Sequence, residues 1–297
     1  MTWLTPDPGE HPAKRLRALL DEDRTLTVPG VFNGLTALLA GRSGAEVLYL
    51  SGAAFSASMG MPDIGLVTLD ELARAARQIV RVTRLPLIVD ADTGFGSALN
   101  VMRTVRELEG ARCAAIQLED QVDPKRCGHL DGKQVVAVEV FAEKVRAAAT
   151  ARAHLVVIAR TDARATDGFD EAVRRGLAYR VAGADVVFPE ALETEEEFAA
   201  YAREVPGPLL ANMTEFGKSP NLSVARLAEL GYRLVIFPVS AARVAAAQVR
   251  AFYGDLLRQG VQTPWLDRML TRDELYALIG YDDYTELDRG LGRKERS

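Results

Sequence analysis

Five consecutive residues, Lys125-Arg126-Cys127-Gly128-His129, set a thiol and an imidazole among two cations, a few positions after the acids Glu119 and Asp120. Taken alone, this stretch is open to a nucleophile, a metal site or a surface accident, because a single cysteine beside cations is common on soluble proteins. A second set of residues narrows the choice. Asp90, Asp92 and Glu119 offer hard oxygen ligands with no histidine or thiolate among them, which favours magnesium over zinc. The Asp-x-Asp spacing by itself also fits two acids that are solvated or paired with Arg160, since alternate strand residues point the same way. Lys125, Arg126, His129, Arg160 and Arg243 form the complementary set. They would surround a ligand with several carboxylates, the arginines in bidentate pairs. The plainer reading is that Arg160 and Arg243 only neutralise the acids.

These residues need a scaffold that brings them together. Eight short, β-branched, nearly continuous apolar runs lie at 25–28, 45–50, 86–89, 114–118, 155–159, 184–188, 208–211 and 233–237. Such runs fit strands of a parallel sheet buried on both faces. Helical segments alternate with them, and Thr68 with Glu71 and Thr194 with Glu197 have capping-box spacing. Eight βα units predict a single (β/α)8 barrel over 1–297, with an N-terminal helix and lead-in over 1–24. No glycine-rich dinucleotide fingerprint follows the first strand, and Gly94-Phe95-Gly96 is not one. Barrel enzymes build their sites at the C-terminal strand ends. Here those ends carry Tyr49, Ser51-Gly52, Asp90, Asp92, Glu119, Arg160, Asp162, Glu190, Asn212, Thr214, Ser240 and Arg243. One polar residue there is ordinarily a cap, but seven strand ends in a row are hard to explain so.

The stretch from Asp120 to about Val136 lacks periodicity and exceeds the usual βα loop of about 2 to 6 residues, which predicts a lid. Neighbouring cations would lower the pKa of a thiol carried there, and a bound polyanion would raise it again. Cys127 would then serve as a proton donor rather than a nucleophile. Beyond the eighth run, 242–259 and 272–279 read as two further helices, the second opened by Thr271 with Glu274. A closed barrel needs one helix there, so 242–297 is either a decorative tail or an arm bridging subunits.

Composition excludes several classes. The 297 residues are 48% hydrophobic and carry a net charge of -5 without a basic block, which argues against nucleic acid. No apolar run is long enough to span a bilayer. Cys113 and Cys127 cannot make a disulfide framework, and 1–17 is polar where a secretory signal would be apolar. The expectation is a protein of the reducing cytoplasm with free thiols.

Together, Ser51-Gly52, the run Asp90-Ala91-Asp92-Thr93-Gly94-Phe95-Gly96, Glu119-Asp120-Gln121, the Lys125 to His129 lid, Ala159-Arg160-Thr161-Asp162-Ala163, Phe188-Pro189-Glu190-Ala191 and Asn212-Met213-Thr214-Glu215-Phe216-Gly217 resemble the isocitrate lyase and phosphoenolpyruvate mutase superfamily. The likeness runs from about Gly30 to Leu291 and is strongest to its methylisocitrate-cleaving lyases. It implies a (β/α)8 barrel whose last helix is exchanged between subunits of a homotetramer. It also implies magnesium, with manganese as a substitute, held by Asp90 and, largely through water, by Asp92 and Glu119. The implied reaction is retro-aldol cleavage of (2S,3R)-2-methylisocitrate to pyruvate and succinate, in the methylcitrate route of propionate breakdown.

Tyr49, Ser51, Gly52 and Arg160 would hold the pyruvate half, with Tyr49 removing the hydroxyl proton, and Ala53 would also bind the substrate. Cys127 would protonate the succinate carbanion. Lys125, Arg126, Gly128, His129, Asn212, Thr214 and Arg243 would grip carboxylates, with Glu190 nearby. Phe188 and Ile236 would accept the extra methyl group, a contact worth about 1 to 3 kcal/mol.

Two departures stand out. Ala53 occupies a position that is glycine in some members, and 297 residues leave no room for the insertions of full isocitrate lyases. The rival readings are a lyase for a related acid such as 2,3-dimethylmalate, an oxaloacetate decarboxylase or phosphonate mutase, or, in a different class, a non-catalytic metabolite-binding barrel. The intact lid and acids speak for a lyase.

Overall fold

The computed structural model describes residues 2–5, 9–129 and 132–294, and the side chains of 292–294 are not part of that description. The expected lead-in, lid and arm thus include positions 1, 6–8, 130, 131 and 295–297 that lie outside the described residues. Eight strands form: β1 Leu26–Val31, β2 Leu48–Leu50, β3 Leu87–Asp90, β4 Ala115–Glu119, β5 Val156–Thr161, β6 Val186–Pro189, β7 Leu210–Asn212 and β8 Leu234–Phe237. All pair in parallel, in the order β6-β5-β4-β3-β2-β1-β8-β7. A parallel bridge between Val187 and Leu209, with the Val187 N–H donating to Pro208 O at 3.2 Å, joins β6 to β7 and closes the cylinder. At least one helix follows each strand, as the alternation of runs predicts.

Side chains segregate by parity along each strand, as the two-residue period requires. Val28, Tyr49, Ile88, Ala115, Ile158, Phe188, Leu210 and Ile236 share the barrel interior. Their neighbours Leu48, Val89, Ile116, Val157, Val187, Ala211 and Val235 pack outward under the helices. The interior positions change character towards the C-terminal ends, where Ser51, Asp90, Glu119, Arg160, Glu190 and Asn212 continue the inward rows. The opposite end is plugged by the helix Pro12–Asp21, whose Ala13, Leu16, Leu19 and Leu20 join the interior cluster.

The observed strands run past the apolar runs in two instructive places. Strand β1 continues through Pro29 and Gly30 although Pro-Gly reads as a turn; a Cβ on Gly30 would lie 2.1 Å from Pro238 O, so glycine lets the β8 exit pass against β1. Strand β5 includes Arg160 and Thr161, because ladder hydrogen bonds involve backbone and tolerate polar side chains. Thr68 with Glu71 and Thr271 with Glu274 form full capping boxes. At Thr194 only half forms: its hydroxyl accepts from Glu197 N, while the Glu197 carboxylate turns to Glu193 N and Arg164.

After β8 the chain makes the helix Ser240–Gln259, of which no residue is buried. A 3-10 turn, Thr263–Arg268, folds back so that Trp265 meets Phe252 edge-on and donates to Asp255. The helices Arg272–Ile279 and Tyr281–Lys294 follow, the first packed on Gly34–Arg42. No helix among the described residues is long and apolar enough to cross a membrane.

Candidate active site

The C-terminal strand ends and the lid enclose a cavity of about 100 Å³. Tyr49, Ser51, Ala53, Asp90, Lys125, Arg126, Cys127, Gly128, His129, Arg160, Phe188, Glu190, Asn212, Thr214, Ile236 and Arg243 all line it. Of the strand-end residues expected at a site, Gly52, Asp92, Glu119, Asp162 and Ser240 are set outside this lining. Asp63, Pro238 and Val239 line it too, and the sequence reading missed them.

One wall is acidic. Asp90 accepts from Gln117 Nε2 at 3.0 Å and from the Gly52 N–H at 3.2 Å. A Cβ on Gly52 would sit 3.2 Å from Asp90 Oδ2, so the missing side chain permits that approach. Asp92, held at a φ of 49°, meets Lys125 Nζ at 2.9 Å, and Lys125 also pairs with Asp63. Glu119 Oε2 lies 3.2 Å from an Arg160 nitrogen, while its Oε1 is buried with no hydrogen-bond partner among the described residues. Burial pushes the carboxyls of Asp92 and Glu119 up, against the pull of Lys125 and Arg160 respectively.

A buried carboxylate oxygen without a hydrogen-bond partner, close to Asp90 and Asp92, fits a cation-binding wall. No three His, Cys, Asp or Glu side chains among the described residues are grouped to ligate one ion together. The oxygen-only chemistry of Asp90, Asp92 and Glu119 fits an ion which takes few protein oxygens and keeps several waters, as magnesium does.

The other walls are cationic. Arg160 makes a bidentate pair with Asp162, at 2.9 and 3.0 Å, and approaches Glu190 at 3.4 Å. Burial works against the guanidinium, but Asp162, Glu119 and Glu190 outweigh it and keep it charged. Arg243 is tied to Glu215 at 2.7 Å and reaches Thr214 Oγ1 at 3.4 Å. Both arginines therefore do neutralise acids, and both still line the cavity. Burial would raise Glu190, yet Arg160, then His129 and Lys133, bring its carboxyl below the usual range. Asn212 donates to Glu190 at 3.2 Å.

The lid is folded over the mouth. His129 accepts the Lys218 N–H on Nδ1 at 3.0 Å, which leaves the ring proton on Nε2, 3.1 Å from Glu190. Gly128 passes so close that an added Cβ would lie 2.4 Å from an Arg160 nitrogen and 2.6 Å from Glu190 Cγ. Gln121 clamps the Arg126 backbone from both sides, at 2.8 and 2.9 Å. Cys127 lies half-buried in the cavity lining.

Tyr49 is fully enclosed and its hydroxyl donates to Gln117 Oε1. Burial, and then Asp90, push the phenol well above its ordinary value. The single phenol proton is thus engaged by Gln117. Gln117 escaped the sequence reading because it lies inside an apolar strand; its position two residues before Glu119, on the same face, was the available signal.

Comparison with known proteins places the whole assembly. The family model described as phosphoenolpyruvate phosphomutase matches residues 16–257. A protein of Aeropyrum pernix named 2-methylisocitrate lyase is 51% identical over 294 residues, covering 99% of this chain and 96% of that one. Among solved structures, a 2,3-dimethylmalate lyase, described as a PEP mutase/isocitrate lyase superfamily member, superposes with a TM-score of 0.91 at 39% identity, covering 96% of this chain and 97% of that one. A phosphonopyruvate hydrolase in complex with oxalate and magnesium superposes with a TM-score of 0.86 at 34% identity, covering 94% and 99%. With a barrel closed in the same way along nearly its full length, the chain belongs to the phosphoenolpyruvate phosphomutase family, within the PEP mutase/isocitrate lyase superfamily.

Proposed function

We propose that the protein is a carbon–carbon lyase that cleaves 2-methylisocitrate to pyruvate and succinate. The observation that carries this reading is the presence of a thiol, Cys127, in a cavity lined by Asp90 on one side and by Arg160 and Arg243 on others. The identity to a 2-methylisocitrate lyase over almost all of both chains supports it. Arg243, with Thr214 and Asn212, gives the cavity a cationic and polar end that dimethylmalate, with one carboxylate fewer, would leave unused. Phe188 and Ile236 are both buried in the lining and supply an apolar contact for the methyl group.

Asp90, with Asp92 and Glu119 through water, would hold magnesium, which when bound supplies Lewis-acid stabilisation of oxyanion charge. Ser51 and Arg160 bind the half that becomes pyruvate, with Arg160 held in orientation by Asp162. Tyr49, whose proton is engaged by Gln117, offers its hydroxyl oxygen there as a hydrogen-bond acceptor. As the substrate hydroxyl gives up its proton to solvent, its oxygen becomes the pyruvate carbonyl, and the electrons of the breaking carbon–carbon bond pass to the carbon of the leaving succinate. That carbon takes its proton from the Cys127 thiol, and the thiolate is reprotonated from solvent as the lid opens. Arg126, the Gly128 N–H, His129 and Arg243 grip the succinate carboxylates, with Lys125 holding Asp92 and Asp63. Glu190 fixes both His129 and Asn212.

The wider setting is a cytoplasmic homotetramer with exchanged C-terminal helices, serving propionate breakdown. Support for the exchange is the wholly unburied helix Ser240–Gln259. Purified protein with magnesium, offered 2-methylisocitrate, isocitrate, 2,3-dimethylmalate and oxaloacetate in parallel, should release pyruvate fastest from the first. No pyruvate from it overturns the assignment.

A further inference from the structure

The lid is closed on itself at its base. The Val122 N–H donates to Gln134 O at 2.8 Å, the Val136 N–H donates to Asp120 O at 2.9 Å, and Gln121 bridges Val135. Within this loop Lys133 turns inward, and its side chain is 1% exposed. Its ammonium donates to Gly128 O and to Asp162 Oδ1, the latter at 2.9 Å. Burying an ammonium is unfavourable unless its hydrogen bonds are met, so those two partners define where the loop can sit.

Both partners matter to the proposed chemistry. Gly128 follows Cys127 directly. Asp162 is the carboxylate that orients Arg160. Asp162 is itself held from behind: its N–H donates to Asp120 Oδ1 at 2.9 Å. Asp120 is fully buried and accepts from Thr161 Oγ1 at 2.8 Å, Tyr179 Oη at 2.8 Å and Arg175 at 3.0 Å. Tyr179 and Arg175 belong to the barrel helix Phe169–Ala182. A continuous polar path therefore runs from a rigid outer helix to the peptide beside the thiol.

We propose that Lys133 is a positioning residue that latches the lid, seating Cys127 through the Gly128 carbonyl on the same carboxylate that aims Arg160. The inference rests on the lyase reading for its catalytic consequence and goes beyond it in assigning the device that closes the site. One carboxylate serving both groups makes lid closure and arginine orientation a single event. Charge alone does not explain the choice of residue, because the Lys133 stem must also reach under the loop to Gly128.

The test compares wild type with Lys133→Met, which keeps the stem and removes the charge, and with Lys133→Gln, which can donate to Gly128 O without an ion pair. Alkylation of ligand-free protein by iodoacetamide reads lid seating at Cys127, with fully buried Cys113 as the internal control. The latch predicts that Cys127 is alkylated about tenfold faster in Lys133→Met, since the reaction tracks the open population. It predicts an intermediate rate in Lys133→Gln. With substrate, kcat should fall by about 100-fold in Lys133→Met while the thermal midpoint stays within a few degrees of wild type. Unchanged alkylation in both variants overturns the latch whatever the substrate is. Faster alkylation in a protein whose wild type does not cleave 2-methylisocitrate upholds the latch and sinks the substrate reading alone. If Lys133→Met does not fold, the Lys133→Gln comparison decides: an alkylation rate equal to wild type overturns the latch.

Discussion

Two cysteines in one chain meet opposite environments. Cys113 is fully buried, and burial pushes its thiol up to about 12. Cys127 is half-buried at a cavity rim among Lys125, Arg126 and His129. A thiol reagent at pH 8 should therefore label one residue in the native protein and two after denaturation, counted by intact mass. Replacing Cys127 by serine should lower kcat by about 10²- to 10⁴-fold, the usual contribution of a positioned proton donor, with little effect on KM. Near-full turnover in that variant would remove the thiol from the chemistry. The sequence made this residue legible because its neighbours in space are also neighbours in the chain. Asp63 and Lys133 were not legible for the opposite reason. Asp63 meets Lys125 from 62 positions away, and Lys133 acts through a backbone carbonyl that has no sequence signature.

At the level of elements, the eight strands were readable since each is a short apolar run bounded by polar ends. The boundaries were less so, because a ladder continues through Pro29-Gly30 or Arg160-Thr161 wherever backbone pairing allows. The N-terminal helix adds a pH dependence of its own. His11 is its N-cap, accepting the Ala13 N–H on Nδ1 at 3.2 Å, and its ring lies 4.9 Å from that of His154. Burial, and then His154, lower its pKa below 6.5. The folded state thus binds fewer protons than the unfolded state in the window just below pH 6.5. Stability contributed by His11 is full above that value and is lost as pH falls through the lowered one. Protonation also removes the cap, worth about 1 kcal/mol. Urea midpoints at pH 7.5 and 5.5 should therefore differ more for wild type than for His11→Asn, whose amide caps without titrating; equal differences would refute the role.

For the whole molecule, the C-terminal arm is the part that a lone chain cannot explain. Val244, Leu257 and Leu270 are 64%, 86% and 51% exposed, a density of apolar surface that fits the proposed subunit-bridging arm. Light scattering should give a mass several times 32.3 kDa, and a Val244→Glu, Leu257→Glu double variant should shift it towards that value with circular dichroism unchanged. A wild-type monomer would contradict the exchange. The arm was visible in the sequence as helices left over once the barrel was complete, but what they pack against is not coded locally.

The parity of the strands has a consequence for how such a chain can vary. Lengthening a surface loop leaves every inward row intact, whereas one residue gained or lost within β4 would turn Gln117 and Glu119 outward and bring Ile116 and Leu118 to the interior. The barrel would keep an apolar lining and lose Glu119 from its acidic wall at a stroke, together with Gln117, the partner of Tyr49 and Asp90. The chemistry is thus written in a reading frame of two, and the tolerance of this protein to insertions should alternate sharply between its loops and its strands.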